Sequence, residues 1–401
     1  MKPIVQAIPR KALVDDVVKI VVNHLNPNQQ VTVGAYLQEG KFKFGSYAHF
    51  NADGNGVVDL SLHPSMGGSY TDVMPMGLFC SLIPIIGQRK GLRLIKKDVT
   101  TPLTFDLKVY DGIHHIADTH HPATLLACTS LQRSYLADGV TVQEIEHGNI
   151  RGRLFLPEGP GPFLGVIDMF GSGGNIVTFR SALLASRGFA TLCLPYIYYK
   201  DLPKRLDDIH LEYFEEAVDW FSSHPQVLPH GVGAMGVSLG GEIVLCMASY
   251  MRNKHKLKAV VCINGNSIHS QYIKYGGESF ANSRMPDLSQ DVHIHHPEGV
   301  TYAEYAQDFH ADQLIALEHA PAQILFVISE DDKAVMGVKE NTASTERMLR
   351  HGRDNHEMCV YPGAGHLVEP PYSPLCKTSY HATMGVHMAW GGELKAHSFA
   401  Q

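Results

Sequence analysis

The stretch Gly236-Val-Ser238-Leu-Gly240 constrains this chain more than any other. It fits the pattern G-x-S-x-G, and its flanks give the pattern meaning. Val232-Gly-Ala-Met-Gly236 is small and apolar, as a buried strand requires, while Gly241-Glu-Ile-Val-Leu-Cys-Met-Ala-Ser249 carries apolar residues at helical spacing. Strand, tight turn and helix together predict a nucleophile elbow with Ser238 at its tip. The glycines two before and two after the serine leave room for neighbouring backbone in a cramped turn. The helix N-terminus then lies beneath the hydroxyl, where negative charge is favoured.

A chain of 401 residues exceeds what one core ordinarily fills, so two or three domains are expected. Residues 1 to about 135 read as short strands: Val17-Val-Lys-Ile-Val-Val-Asn23, Gln30-Val-Thr-Val-Gly-Ala-Tyr-Leu37 and Thr104-Phe-Asp-Leu-Lys-Val-Tyr110. Turn signals at Asn26-Pro-Asn28, Asp53-Gly-Asn-Gly56 and Asp111-Gly112 separate them, and the pattern predicts an all-β sandwich without catalytic residues. Residues 136–401 read as a second domain. From about 147, strands alternate with helices: strands at Ile150–Leu156, Phe163–Met169, Phe189–Leu194, Ala259–Ile263, Gln323–Ile328 and Glu357–Tyr361, helices up to Arg187, at Leu211–Ser223 and near Glu340–His351. This order predicts a doubly wound α/β sheet. Residues 265–318 are weakly patterned, either a cap over the site or a long surface excursion.

A serine hydroxyl attacks only when a base takes its proton and an acid orients that base. In an α/β-hydrolase the chain order is Ser, acid, His, with acid and base on loops after late strands. Asp332 lies in Ser329-Glu-Asp-Asp332-Lys-Ala-Val335 after one late strand and is preferred as the acid over Asp331, with Glu330 third. His366 lies in Pro362-Gly-Ala-Gly-His366 after the final strand and is the expected base. The oxyanion of a tetrahedral intermediate needs two backbone N–H donors. Leu239, next to the nucleophile, and Ser172 (or the residue on either side) in Phe170-Gly-Ser172-Gly-Gly174 are the candidates. The competing reading of that glycine-rich turn is a phosphate cradle, but it lacks the spacing and the lysine of either phosphate motif.

Other functions are disfavoured by composition. A formal charge of -7 without a basic block argues against a nucleic-acid partner. No apolar run reaches the roughly 18 residues of a membrane span. The N-terminus lacks secretory and transit character, and no Ser-Lys-Leu signal ends the chain. An intracellular, most of all cytoplasmic, location is therefore expected, with the peroxisome as the alternative. Seven scattered cysteines without C-x-x-C read as buried reduced thiols. Among 24 histidines, His293-Ile-His295-His296 and His114-His115 with His120-His121 could suggest a metal, but neither group has the accompanying ligand spacing, and surface loops are preferred.

Pro75-Met-Gly-Leu-Phe79, Ser186-Arg-Gly-Phe-Ala190, Asp201-Leu-Pro203, Glu212-Tyr-Phe-Glu-Glu216 and above all Tyr361-Pro-Gly-Ala-Gly-His-Leu-Val-Glu-Pro-Pro-Tyr-Ser-Pro-Leu-Cys376 resemble the type I acyl-CoA thioesterase and bile acid-CoA:amino acid N-acyltransferase family. The resemblance runs along nearly the whole chain. It implies a β-sandwich ahead of an α/β-hydrolase domain, acyl-CoA substrates, and no metal or prosthetic group. It also implies a Ser or Cys nucleophile with Asp and His, falling here on Ser238, Asp332 and His366. A cysteine would hold the acyl group as a thioester open to amines, whereas serine holds it as an oxygen ester, for which water is the natural acceptor. Serine at 238 therefore favours hydrolysis over conjugation to glycine or taurine. The family's further helix after Trp390-Gly-Gly-Glu393 is not expected here, because the sequence ends at Gln401. A shortened, non-catalytic acyl-CoA-binding protein is thus a third reading. Oligomeric state is left open.

Overall fold

Eight strands form the central sheet of the computed structural model, which describes all residues except 90, 116–123, 271, 281–293, 297–298, 302–308 and 336 (and, for 294–296, the backbone alone). Across the sheet they run Thr141–His147, Ile150–Leu156, Phe189–Cys193, Phe163–Met169, Val227–Val237, Leu257–Ile263, Gln323–Ser329 and His356–Tyr361. Ile150–Leu156 is antiparallel to both its neighbours, and every later pairing is parallel. Numbered along the chain, the order is first, second, fourth, third, then fifth to eighth. This is the α/β-hydrolase sheet.

Burial explains the elements. Phe163–Met169 and Gln323–Ser329 are nearly all apolar because they lie inside a parallel sheet covered on its faces. The helix Leu211–Ser222 buries Leu211, Phe214, Ala217, Val218 and Phe221, a stripe at i, i+3, i+6, i+7 and i+10. The helix Leu239–Tyr250 buries every residue up to Ser249 and is the central helix of the domain. Its core joins Ile243, Val244 and Met247 to Ile167, Val260, Phe326 and Met348.

The N-terminal region is a sandwich. A six-stranded sheet runs Lys11–Leu13, Leu125–Ser134, Leu103–Asp111, Gln30–Glu39, Phe42–Asn51, Ile83–Pro84, and a three-stranded sheet runs Ile4–Ile8, Lys19–Asn23, Val58–Asp59. Val5, Ala7, Ile20 and Val22 share one core with Val31, Val33, Leu107 and Val109. That core continues into Phe179, Ala182 and Leu183 of the helix Phe179–Ser186, so the sandwich abuts the α/β sheet. All seven cysteines are free, and Cys80, Cys193, Cys246 and Cys262 are buried. Among the described residues no helix is long and apolar enough to cross a membrane.

Two features depart from the sequence expectation. A helix does follow Trp390: Leu394–Ala400, with His397 and Ala400 buried. Its residues are adequate helix formers, and Gly391 and Gly392, at φ 75° and 98°, turn the chain into it. A second, four-stranded sheet was unforeseen: Ile294–His296, Gly299–Thr301, Val386–Ala389, Thr378–His381.

Asp168, 2% exposed near the end of its strand, ties the loop that follows to the next helix. Its carboxylate accepts hydrogen bonds from Arg180 Nε and Ser181 Oγ, both at 2.7 Å, while Arg180 Nη2 donates to the Met169 carbonyl at 2.8 Å. Arg180→Ala leaves this carboxylate without its cation. It should lower the unfolding free energy in urea by about 3–5 kcal/mol, the cost of an uncompensated buried charge.

Candidate active site

Ser238 lies between the strand Val227–Val237 and the helix Leu239–Tyr250 with φ 57° and ψ -125°. Such a backbone costs a residue with a side chain about 1–3 kcal/mol and persists only when surroundings enforce it. The surroundings here are glycines. A Cβ on Gly236 would fall 2.0 Å from the Gly240 carbonyl oxygen, and one on Gly240 would fall 2.5 Å from that of Phe170. The Ser238 N–H donates to the Ile263 carbonyl at 2.9 Å, anchoring the elbow to the adjacent strand.

His366 and Asp332 meet at the ends of the last two strands. His366 Nδ1 is 2.7 Å from Asp332 Oδ2, and both side chains are 3% exposed. The other oxygen of Asp332 accepts the Ala334 and Val335 N–H groups at 2.7 and 2.9 Å, an Asx turn that fixes the carboxylate. With Nδ1–H donating to a carboxylate, Nε2 carries the ring's lone pair. Asp331 is engaged elsewhere: it accepts from Gly392 N–H at 2.7 Å and pairs with Lys333 at 2.7 Å. Glu330 is exposed.

Ser238, Leu239, Ser172 and His366 line one cavity of about 530 Å³. Ser238 Oγ makes no hydrogen bond to His366, though catalytic hydrogen bonds are often long before substrate is bound. Leu239 opens the central helix, whose first N–H groups lack intrahelical partners. The loop with Ser172 presses on Ser238: a Cβ on Gly171 would lie 2.9 Å from Ser238 Cβ. The next helix starts only at Phe179, which separates this loop from a helix-capped phosphate cradle. From the 265–318 stretch, Asn266, Ile268, Ser270, Tyr272, Phe309 and Gln313 also line the cavity, while 271, 281–293, 297–298 and 302–308 lie outside the described residues. Of the histidine groups, His120, His121 and His293 lie outside the described residues, as do the side chains of His295 and His296. His114 and His115 bond the Asp111 carbonyl and the Tyr47 hydroxyl.

Two residues that sequence reasoning passed over organise this centre. Asn264, buried at φ 46°, donates from Nδ2 to the His366 carbonyl at 2.8 Å and accepts the Ser329 N–H at 2.8 Å. Asn264-Gly265 after a strand was the available signal. Trp390 stacks on His366 at 5.3 Å and 15°, and its carbonyl accepts the His366 N–H at 2.8 Å.

The chain resembles known proteins along nearly its whole length. Residues 209–401 match the model described as "BAAT / Acyl-CoA thioester hydrolase C terminal", and residues 15–147 match "Acyl-CoA thioester hydrolase/BAAT N-terminal region". The chain is 39% identical to mouse "Acyl-coenzyme A amino acid N-acyltransferase 1", over 98% of this chain and 93% of the relative. It is 39% identical to human "Acyl-coenzyme A thioesterase 1", over 96% and 90%, and 40% identical to mouse "Bile acid-CoA:amino acid N-acyltransferase", over 98% and 93%. The chain belongs to the acyl-CoA thioester hydrolase/BAAT family. The N-terminal match covers most of the sandwich and the first strand of the central sheet, and the C-terminal match covers the sheet's last four strands.

Two residues of the cavity wall are acids, Glu242 and Glu340. Glu242, one turn after Ser238, is 4% exposed and accepts the Ser270 N–H at 2.7 Å. Burial pushes its carboxyl up from 4.5 to about 7. Folding therefore takes up a proton between those values. The stabilisation this group contributes is complete below pH 4.5 and is lost as pH rises through about 7. Glu242→Gln keeps an acceptor for Ser270 and should flatten the fall in melting temperature between pH 4.5 and 7, read by thermal scans of both proteins.

Proposed function

We propose that this chain hydrolyses acyl-CoA thioesters to free acid and CoA through an acyl-enzyme on Ser238. The observation that supports it most is His366, held by the buried Asp332 carboxylate at 2.7 Å, on the wall of the cavity that Ser238 also lines. In this reading the acyl chain lies in the cavity and the bulk of CoA stays outside. His366 Nε2 takes the Ser238 proton as Oγ attacks the thioester carbonyl. The N–H groups of Leu239 and Ser172 hold the oxyanion while it carries charge. The C–S bond breaks, and the proton on Nε2 passes to the departing thiolate. His366 then draws a proton from water, the hydroxide adds to the ester carbonyl, and Ser238 leaves with that proton. Asp332 keeps the imidazole in one tautomer and faces the transient imidazolium. The reading calls for no metal or prosthetic group.

The second reading, transfer of the acyl group to an amino acid, draws on relatives of equal similarity named N-acyltransferases. Serine at 238 weighs against it, since an oxygen ester resists amines better than a thioester does.

Ser238→Ala should abolish CoA release from palmitoyl-CoA in a thiol-trapping assay, and undiminished turnover would remove Ser238 from the mechanism. Product mass spectrometry with excess glycine or taurine should show free acid as the dominant product. Ser238→Cys should raise the conjugate-to-acid ratio, and an unchanged ratio would defeat the argument from the intermediate.

A further inference from the structure

Near His366, on the other side of a shared contact with Trp390, the cavity wall carries a second imidazole that the proposed chemistry does not use. His381 is 8% exposed and ends the strand Thr378–His381, paired with Val386–Ala389 in a hairpin. Its Nε2 lies 3.1 Å from Ser172 Oγ and its Nδ1 lies 2.9 Å from Thr383 Oγ1. Thr383 Oγ1 also donates to the Ser172 carbonyl at 2.8 Å.

Counting protons fixes the direction of each bond. A threonine hydroxyl has one hydrogen, and here it is given to the Ser172 carbonyl. Thr383 must therefore accept from His381, which places the imidazole proton on Nδ1. Nε2 is then the acceptor, and Ser172 O–H donates into it. The ring closes with no donor left over. Burial, helped by the nearby His366 and Arg93, holds the imidazole down at about 4, so it stays neutral and keeps this tautomer. Such a histidine is a poor base and a good bracket.

The same hairpin holds the other half of the centre. Its last strand runs into Trp390, whose carbonyl accepts the His366 N–H, whose ring stacks on that imidazole, and whose Nε1 donates to Ser379 Oγ at 2.8 Å. Two loops far apart in sequence, one supplying the base and one the oxyanion donor, are thus bolted to one short element.

We propose that the hairpin Thr378–Ala389 is a latch that registers the oxyanion loop against the catalytic imidazole, with His381 and Thr383 as positioning residues acting through Ser172. This rests on reading Ser238 as the nucleophile and Ser172 N–H as an oxyanion donor. The latch touches no reacting atom. It sets the loop whose Gly171 packs on Ser238, so its loss displaces the donor without removing it.

The test is a cycle of Ser172→Ala, His381→Phe and the double variant in the full chain, with Thr383→Val and Thr383→Ser beside it. Two readouts are taken: kcat and KM for palmitoyl-CoA, and the rate at which a fluorophosphonate labels Ser238. Either single change should lower kcat by about 10- to 100-fold, the scale of a misplaced donor, with KM nearly constant. The double variant should be no slower than the worse single one, because both break the same bond. Thr383→Val should share the loss and Thr383→Ser should restore it. Losses that multiply, losses confined to KM, or an unchanged kcat overturn the latch. Should His381→Phe not fold, equal kcat for Thr383→Val and Thr383→Ser overturns it alone. A wild type inert toward acyl-CoA whose Ser238 labelling still falls in the coupled pattern would defeat the substrate reading and keep the latch. Normal hydrolysis with uncoupled variants would do the reverse.

Discussion

The backbone at Ser238, forced to φ 57°, is the constraint on which the rest of the site depends. No local preference of serine favours that conformation. It is enforced by packing of main chain on main chain, which only glycine permits. Gly236 sits against Gly240, Gly240 against the Phe170 carbonyl, and Gly241 against Gly265, where an added Cβ would meet backbone at 2.9 Å. Four chain segments converge there: the elbow, the start of the central helix, the loop with Gly171 and Ser172, and the end of the neighbouring strand. The strain at one residue is therefore held by contacts that also locate the groups around it.

Sheet order does the remaining work. Val227–Val237, Leu257–Ile263, Gln323–Ser329 and His356–Tyr361 are successive parallel neighbours, so their C-terminal ends share one edge. Ser238, Asp332 and His366 each follow one of these strands. Asn264 follows the remaining one, between those of Ser238 and Asp332, and binds toward the last two strands. Its N–H donates to the Val327 carbonyl at 2.8 Å while its side chain reaches Ser329 and the His366 carbonyl. A buried amide with every bond satisfied rigidifies its neighbours, since breaking any one of them leaves an unpaired polar group in the interior.

How much of this was legible in the sequence depended on whether the signal was local. The elbow was legible because glycine spacing and flanking patterns sit within a few residues of Ser238. The alternation of strands and helices after residue 147 was legible for the same reason. The hairpin Thr378–Ala389 was not: its strands have four residues each and mixed polarity, and the contact that gives it meaning, His381 with Ser172, spans 209 positions. His381 itself is one of 24 histidines, with nothing in its neighbours to set it apart. Asp331 and Asp332 are adjacent, and composition alone cannot say which faces His366. The turn made by the Ala334 and Val335 N–H groups decides that orientation. In the N-terminal sandwich, Phe42–Asn51 went unread although it pairs along its full length with Gln30–Glu39, its alternation being blurred by Gly45 and Ser46.

The cavity poses a further physical question, since its wall includes two acids, Glu242 and Glu340, among Phe170, Val237, Ile268 and Trp390. An ionised carboxylate beside an acyl chain would be costly on both sides: the charge would lose its water, and the chain would gain none of the benefit of leaving water. Burial pushes both carboxyls up to about 7, so each is protonated in a larger share of molecules than an ordinary glutamate, and the charge the two acids bring to the wall is reduced. Glu242 meanwhile has a second duty that an apolar residue could not perform, because the Ser270 N–H would otherwise be buried without an acceptor. A protonated acid satisfies that donor without placing a full charge in the cavity. The acid at the elbow's first helical turn is therefore compatible with an apolar guest. It couples the position of the 265–270 segment to the central helix, and through that helix to the nucleophile.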